Sequence, residues 1–168
     1  KSTAADGGVD ADREAGDAVI NQRAGIDAGT GDVLFLMKDG AGNTNSGTGS
    51  IFTDNITAGS VTVRHEADTF GTDIATTGTI TAVGDVTIQA LDTDSNINAG
   101  RINAEGSIDI EVGNMVVFVG NLSGDTDGNA AAADSTVVVA SSTLKNTVGA
   151  GVLDAGSGRF VTYSEDFA

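Results

Sequence analysis

The sequence predicts an all-β fold, a single-stranded parallel β-helix (solenoid) of about six to seven rungs, and three observations carry that prediction. One short phrase recurs five times: Ile26-Asp-Ala-Gly-Thr-Gly-Asp-Val33, Ile56-Thr-Ala-Gly-Ser-Val61, Ile80-Thr-Ala-Val-Gly-Asp-Val86, Ile102-Asn-Ala-Glu-Gly-Ser-Ile108 and Leu153-Asp-Ala-Gly-Ser-Gly-Arg-Phe160. The copies start about 30, 24 and 22 residues apart, and the gap from Ile102 to Leu153 would hold about two more units. That period is a solenoid's, and it is too short for a helix pair. Each phrase then opens onto an alternating strand such as Val61-Thr-Val63, Val86-Thr-Ile88 or Ile108-Asp-Ile110, the pattern of a strand with one buried face.

Stacking explains the recurring letters. Equivalent side chains of successive rungs lie about 4.8 Å apart, so an inward position must hold a residue that packs against its own copy. Ile26, Ile56, Ile80, Ile102 and Leu153 are expected to form one aliphatic column. Ala28, Ala58, Ala82, Ala104 and Ala155 are expected to form a second, at a tight corner with room for a methyl group only. Gly29, Gly59, Gly84, Gly106 and Gly156 follow them and are expected to supply positive φ where the chain bends.

Taken in order, residues 1–18 read as an acidic N-terminal arm or an irregular first rung, with a short helix expected over Asp10 to Gln22, and residues 19–168 as the parallel β-helix. The first rung runs from Val19 to Met37 and ends in the continuous apolar run Val33–Met37, which as a two-faced strand needs cover on both sides. After a polar loop over 39–50, rungs follow near Ile51 to Glu66, Ile74 to Leu91 and Ile97 to Val112. Then come a second two-faced run, Met115–Val119, the loop Ser123 to Asp134, a third run, Val137–Val139, and the last rung, Val148 to Tyr163. The outward residues of these runs, Val117 and Val138 above all, are expected to be contact surfaces, because a soluble acidic protein seldom exposes a large apolar patch.

Composition narrows the function. Gly supplies 24 of 168 residues, about twice the usual ~7%, while Pro, Cys and Trp are absent; a narrow solenoid core needs few rings. With 19 Asp against 5 Glu and a formal net charge of −16, the acids suit turns, and the surface repels phosphate backbones and anionic lipid. Nucleic-acid partners and membrane insertion are therefore not expected. The lack of thiols suits a bacterial exported protein, and a start at Lys1 without an apolar leader suggests an excised or processed piece of a longer one.

No motif argues for catalysis. His65 is the sole histidine and has no Gly-x-Ser-x-Gly elbow to serve. Zinc lacks a second His or any Cys. Gly149-Ala-Gly151 lacks the third glycine of a dinucleotide site. Asp125, Asp127 and Asn129 place oxygens at alternate positions, as do Asp92, Asp94 and Asn96. The Gly and Glu of an EF-hand are missing, since counting from Asp125 those places hold Ala130 and Thr136. These Asp-rich turns are read as corners, and weakly bound Ca2+ at Asp125, Asp127 and Asn129 is the one cofactor candidate.

At the last rung, Gly151-Val-Leu-Asp-Ala-Gly-Ser-Gly-Arg-Phe-Val-Thr-Tyr-Ser164 resembles the Gly-Arg-aromatic-aliphatic-x-Tyr-Ser ending of filamentous-haemagglutinin-like exoproteins of two-partner secretion systems. Earlier rungs such as Ile80 to Ile88 are similar to their haemagglutinin-type repeats. The resemblance implies a right-handed parallel β-helix, an extracellular or bacterial cell-surface location, and adhesion or matrix building, with a host-surface or matrix glycan or protein as partner. The family's Asn-Pro-Asn-Gly-type secretion motif is not in this sequence.

The expected function is thus a non-catalytic structural or adhesive segment of a secreted surface exoprotein. A subunit of an end-to-end self-assembling extracellular fibre is the alternative, with self-association through uncapped rungs or continuation into a longer solenoid. A carbohydrate-active β-helix enzyme is the third. The pectin-hydrolase signature is absent, Arg101-Ile-Asn103 being its nearest fragment.

Overall fold

The computed structural model describes residues 9–14, 19–38, 50–66, 73–90, 92–127 and 136–167. Among them every paired strand is parallel and no helix forms. The chain visits three faces in a fixed cyclic order. The first face receives β1 (Val9–Glu14), β4 (Val33–Lys38), β7 (Val61–Glu66), β10 (Val86–Ala90) and β13 (Ile108–Val112). The second receives β2 (Val19–Asn21), β5 (Ser50–Thr53), β8 (Asp73–Thr76), β11 (Asn96–Ala99) and β14 (Met115–Phe118). The third receives β3 (Ile26–Asp27), β6 (Ile56–Ala58), β9 (Thr79–Ala82), β12 (Arg101–Ala104), β15 (Leu122–Ser123) and β17 (Leu153–Asp154). Each inner strand pairs with the strand one turn earlier and one turn later, so the strands stack as in a solenoid.

Two long strands alter the C-terminal part. β16 (Thr136–Asn146) pairs with β13 along its first half and with β14 along its second, and β18 (Arg159–Phe167) pairs with β16 over both. Three residues separate Glu111 from Met115, whereas two separate their partners Ala140 and Thr143. Without the extra residue the chain runs through the corner, and the first two faces join as one 12-stranded sheet.

The core is built of columns. On the third face Ile26, Ile56, Ile80, Ile102, Leu122 and Leu153 are register partners in succession. Ile56, Ile80, Ile102 and Leu122 are buried, and the outer members Ile26 and Leu153 are half-buried against the same core. Ala58, Ala82 and Ala104 follow in register and are buried, as are Ala28 and Ala155. On the first face Val33, Val61, Val86, Ile108 and Val137 align, and on the second Ile51, Ile74, Ile97, Val116 and Leu144. Alternation sets which residues enter: Val86, Ile88 and Ala90 are buried while Thr87 and Gln89 between them are half-buried. Each such Val or Ile contributes roughly 1.5–3 kcal/mol relative to an exposed one.

Two expectations are corrected. The helix over Asp10 to Gln22 is replaced by the strands β1 and β2, which pair with β4 and β5; the row of main-chain partners on those strands outweighs a weak local propensity. Glycine acts differently from expectation at the middle corners. Gly29 and Gly156 do take φ near +60° (60° and 56°), but Gly59, Gly84 and Gly106 do not have positive φ. There the turn lies directly on the turn of the preceding rung. A Cβ on Gly59 would strike the Thr30 carbonyl, and one on Gly106 would come within 2.8 Å of the Gly84 carbonyl carbon. Close approach, not left-handed backbone, is what requires glycine there.

Candidate functional site

Many of the polar side chains sit at the corners, and several of them tie one rung to the next. Between the third and first faces, the sequence alternates Gly31-Asp32, Gly59-Ser60, Gly84-Asp85, Gly106-Ser107, Gly124-Asp125 and Gly156-Ser157. Every Asp of this series accepts a hydrogen bond from the Ser that follows it. Ser60 Oγ donates to Asp32 Oδ1 at 2.6 Å, Ser107 N–H to Asp85 Oδ1 at 2.8 Å, and Ser157 N–H to Asp125 Oδ2 at 2.7 Å, with the Ser157 hydroxyl also donating to Asp125 Oδ2. Acid on every rung would place like charges about 4.8 Å apart; alternation roughly doubles that spacing and gives each carboxylate a neutral donor.

The other corners use amides. Asn114 Nδ2 donates to Asn96 Oδ1 at 3.0 Å, and Asn96 Nδ2 donates to Asp73 Oδ1 at 3.0 Å, a ladder across three rungs. Gln22 Nε2 donates to the Asn55 carbonyl at 3.0 Å, and Asn55 Oδ1 accepts from Thr79 N–H at 2.9 Å. Within turns, Asp27 accepts from Gly29 N–H, Asp92 from Asp94 N–H and Asp154 from Gly156 N–H, the local Asx geometry expected of short carboxylates.

The cation candidates fall into this scheme. Asp125 is 3% exposed and lies at φ 52°. The Ser157 hydroxyl and then the Ser157 N–H hold its carboxyl below the usual carboxylate value, against a smaller opposing effect of burial. Asp127 is exposed, and Asn129 lies outside the described residues. In the second motif Asp94 is exposed and Asn96 donates to Asp73. Among the described residues no three His, Cys, Asp or Glu side chains gather as a metal-ion group.

His65 faces the core of the first face, in register between Met37 and Ala90, and is buried. Val117 lies between Asn98 and Lys145, and Val138 between Asp109 and Val161; both are half-buried on outward columns. Next to Val138, burial and then the nearby Glu111 carboxylate push the Asp109 carboxyl up. An open cleft of about 620 Å³ lies beyond Glu111, lined by Ser141, Tyr163, Glu165 and Phe167 among others.

The last strand carries the largest exposed apolar side chains. Phe160 sits on the Val137 column and Phe167 on the Leu144 column, both core columns, yet they are 59% and 68% exposed. Tyr163, on the outward column above Ala140, is 63% exposed. Among the described residues β18 has a partner on one edge only.

Two elements of this site escape the repeat phrase. Leu122 belongs to the aliphatic column, but its copy reads Leu122-Ser-Gly-Asp125, with Gly124 where the others have Ala. The Asp–Ser ladder is the other, and its signal is the alternation of Gly-Asp with Gly-Ser. Comparison with protein-family models, curated proteins and solved structures finds no match to this chain.

Proposed function

We propose that this chain is a non-catalytic structural or adhesive segment of a secreted bacterial surface protein, wound as a right-handed parallel β-helix of six to seven rungs. The observation that carries this reading is the unbroken register of the third-face column from Ile26 to Leu153, with polar corner side chains tying one rung to the next. Such a stack is a stiff spacer, and its outward columns offer flat faces to a glycan or protein of a host surface or matrix. The filamentous-haemagglutinin-like ending at Gly151 to Ser164 supports the same reading. Weakly bound Ca2+ at the Asp125 turn is compatible with it, as a brace and not as a reagent. Electron microscopy of the purified chain is the test. Isolated short rods that leave acidic polysaccharides uncleaved support the spacer, whereas release of new reducing ends or unsaturated sugars would establish a carbohydrate-active enzyme instead.

A second reading, the end-to-end fibre subunit, is favoured by Phe160 and Phe167, core-column residues left uncovered on β18. Long fibres in place of short rods would select it.

A further inference from the structure

The corner between the second and third faces alternates in length along the middle of the stack. Two residues turn it after Thr53 and after Ala99, and three after Thr76 and after Phe118. The shorter link is drawn in, so Gly100 is buried while Thr77 and Val119, on the rungs either side, are exposed. An open groove of about 950 Å³ runs along this corner. Gly78, Gly100 and Gly120 line it, and each lies hard on the backbone of the rung before: a Cβ there would strike Asn55 N, the Thr76 carbonyl and Arg101 N in turn. Beside this bare backbone stands a column of polar side chains, because Asn55, Thr79, Arg101 and Asn121 directly precede the register partners Ile56, Ile80, Ile102 and Leu122.

The fold leaves much of the hydrogen-bonding capacity of this groove unspent. Asn55 Oδ1 accepts from Thr79 N–H, but Asn55 Nδ2, the side-chain amides of Asn98 and Asn121 and the Arg101 guanidinium have no partner among the described residues. Asp54, the acid that lines the groove, already accepts from Asn55 N–H through Oδ1. An unpaired guanidinium offers a planar fork of donors that matches a carboxylate. Amides one rung away, at about 4.8 Å, both donate and accept, as sugar hydroxyls require. Resting on the adhesive reading above, and naming its ligand and site, we infer that this corner groove binds an oligosaccharide carrying one carboxylate, with a uronic acid residue on Arg101 and its neighbours along the axis on Asn98 and Asn121. A polyanion fits less well, since the chain carries a net charge of −16 and a second carboxylate would face Asp54 without a cation of its own. The walls are amides, hydroxyls and the small aliphatic side chains of Ala75, Val119 and Val148, which suit sugar hydroxyls and C–H faces better than the side chains of a peptide.

Nuclear magnetic resonance titration of the isotope-labelled chain tests this, with an aldotetraouronic acid (one glucuronate on three xylose residues) as the probe and neutral xylotetraose beside it. Amide shifts are expected at Gly78, Gly100 and Gly120, with xylotetraose bound about tenfold more weakly, the share of one charge-assisted carboxylate contact. Arg101→Gln should remove the preference for the acidic sugar while leaving the melting temperature and the xylotetraose affinity unchanged, because the Arg101 side chain is exposed. Arg159→Gln, on β18 and outside the groove, should change neither affinity, and Asn121→Ala should weaken both sugars several-fold. A preference that survives Arg101→Gln, shifts centred on Tyr163 and Glu165 instead, or a short Glu-containing peptide bound as tightly as the acidic sugar would overturn the inference while leaving an adhesive role standing. If neither sugar binds at millimolar concentration but the chain still coats a glycan or protein matrix, the groove is overturned and the adhesive reading is kept. Adhesion to no matrix, with neither sugar bound, would overturn both.

Discussion

The middle of the stack and its C-terminal strand share the same columns but not the same cover. Ile80 and Ile102 are buried between a rung below and a rung above, whereas Phe160 and Phe167 stand on equivalent columns more than half exposed. Register decides which way a side chain points, but in a solenoid only the next rung decides whether it is dry. Cooperative stability therefore sits in the middle, where each column is covered from both sides.

The largest test of that contrast is a charge placed at each site. Ile80→Asp buries a carboxylate without a partner, at a cost of several kcal/mol, and should unfold at least the rungs around β9. Phe167→Asp, on a side chain already 68% exposed, should leave the melting temperature of the single chain nearly unchanged. Equal losses, read by circular dichroism melts, would show that Phe167 is as dry as Ile80 and remove the contrast between them.

A smaller test concerns the crowded corner. Ala82→Leu should overpack the column between Ala58 and Ala104 by about 1–3 kcal/mol, since all three are buried. Thr87→Leu, on the outward side of β10, should cost a few tenths at most. A melt in which Thr87→Leu hurts as much as Ala82→Leu would remove the inward assignment of the Ala column.

The repeat phrase made the columns legible, because an Ile, an Ala and a Gly at fixed offsets are what stacking selects. It failed where a different residue meets the same physical need. Gly124 fills the alanine place beneath Leu122, so that copy carries no Ala to match. The fusion of two faces at β16 depends on a single missing corner residue, which no apolar pattern marks. Glycine at Gly59 and Gly106 was legible as a residue type, but its reason, the carbonyl of the rung beneath, is a property of stacking. The acids were legible as corner residues, while their pairing with Ser needs the rung-to-rung alignment.

Within the core, Thr53 tests a buried hydroxyl. It is fully buried, and its Oγ1 makes no hydrogen bond. Thr53→Val keeps the shape and removes the polar atom, so a gain of up to about 1 kcal/mol is expected in denaturant titrations. A loss of that size would reveal a partner for the hydroxyl.

The smallest effects are those of pH, and they have opposite signs in the two carboxyls. Asp125 is held below its ordinary value of 3.8, by the Ser157 hydroxyl first. Its ionised form therefore contributes stability above that value, and the contribution is lost as pH falls through the lowered folded value. Ser157→Ala should cost stability near neutrality, with a gap that closes in acid; a gap constant down to about pH 2 would contradict the Asp–Ser ladder. Asp109 is raised above 3.8, mainly by burial and then by Glu111. Its ionised form costs stability above its raised value, and the cost disappears as pH falls toward 3.8. Asp109→Asn should raise the neutral-pH melting temperature slightly and converge with the parent in acid.

The central claim is the registered stack, and distances along one column measure it. Thr57, Thr81, Asn103, Ser123 and Asp154 are successive register partners on the third face. Spin labels at Thr57 and Ser123 should therefore lie about three strand spacings apart, ~14 Å, and labels at Thr57 and Asp154 about four, ~19 Å. Pulsed electron paramagnetic resonance that finds the second distance longer than the first by about one strand spacing supports the stack. Equal distances, or separations far beyond these, would contradict it.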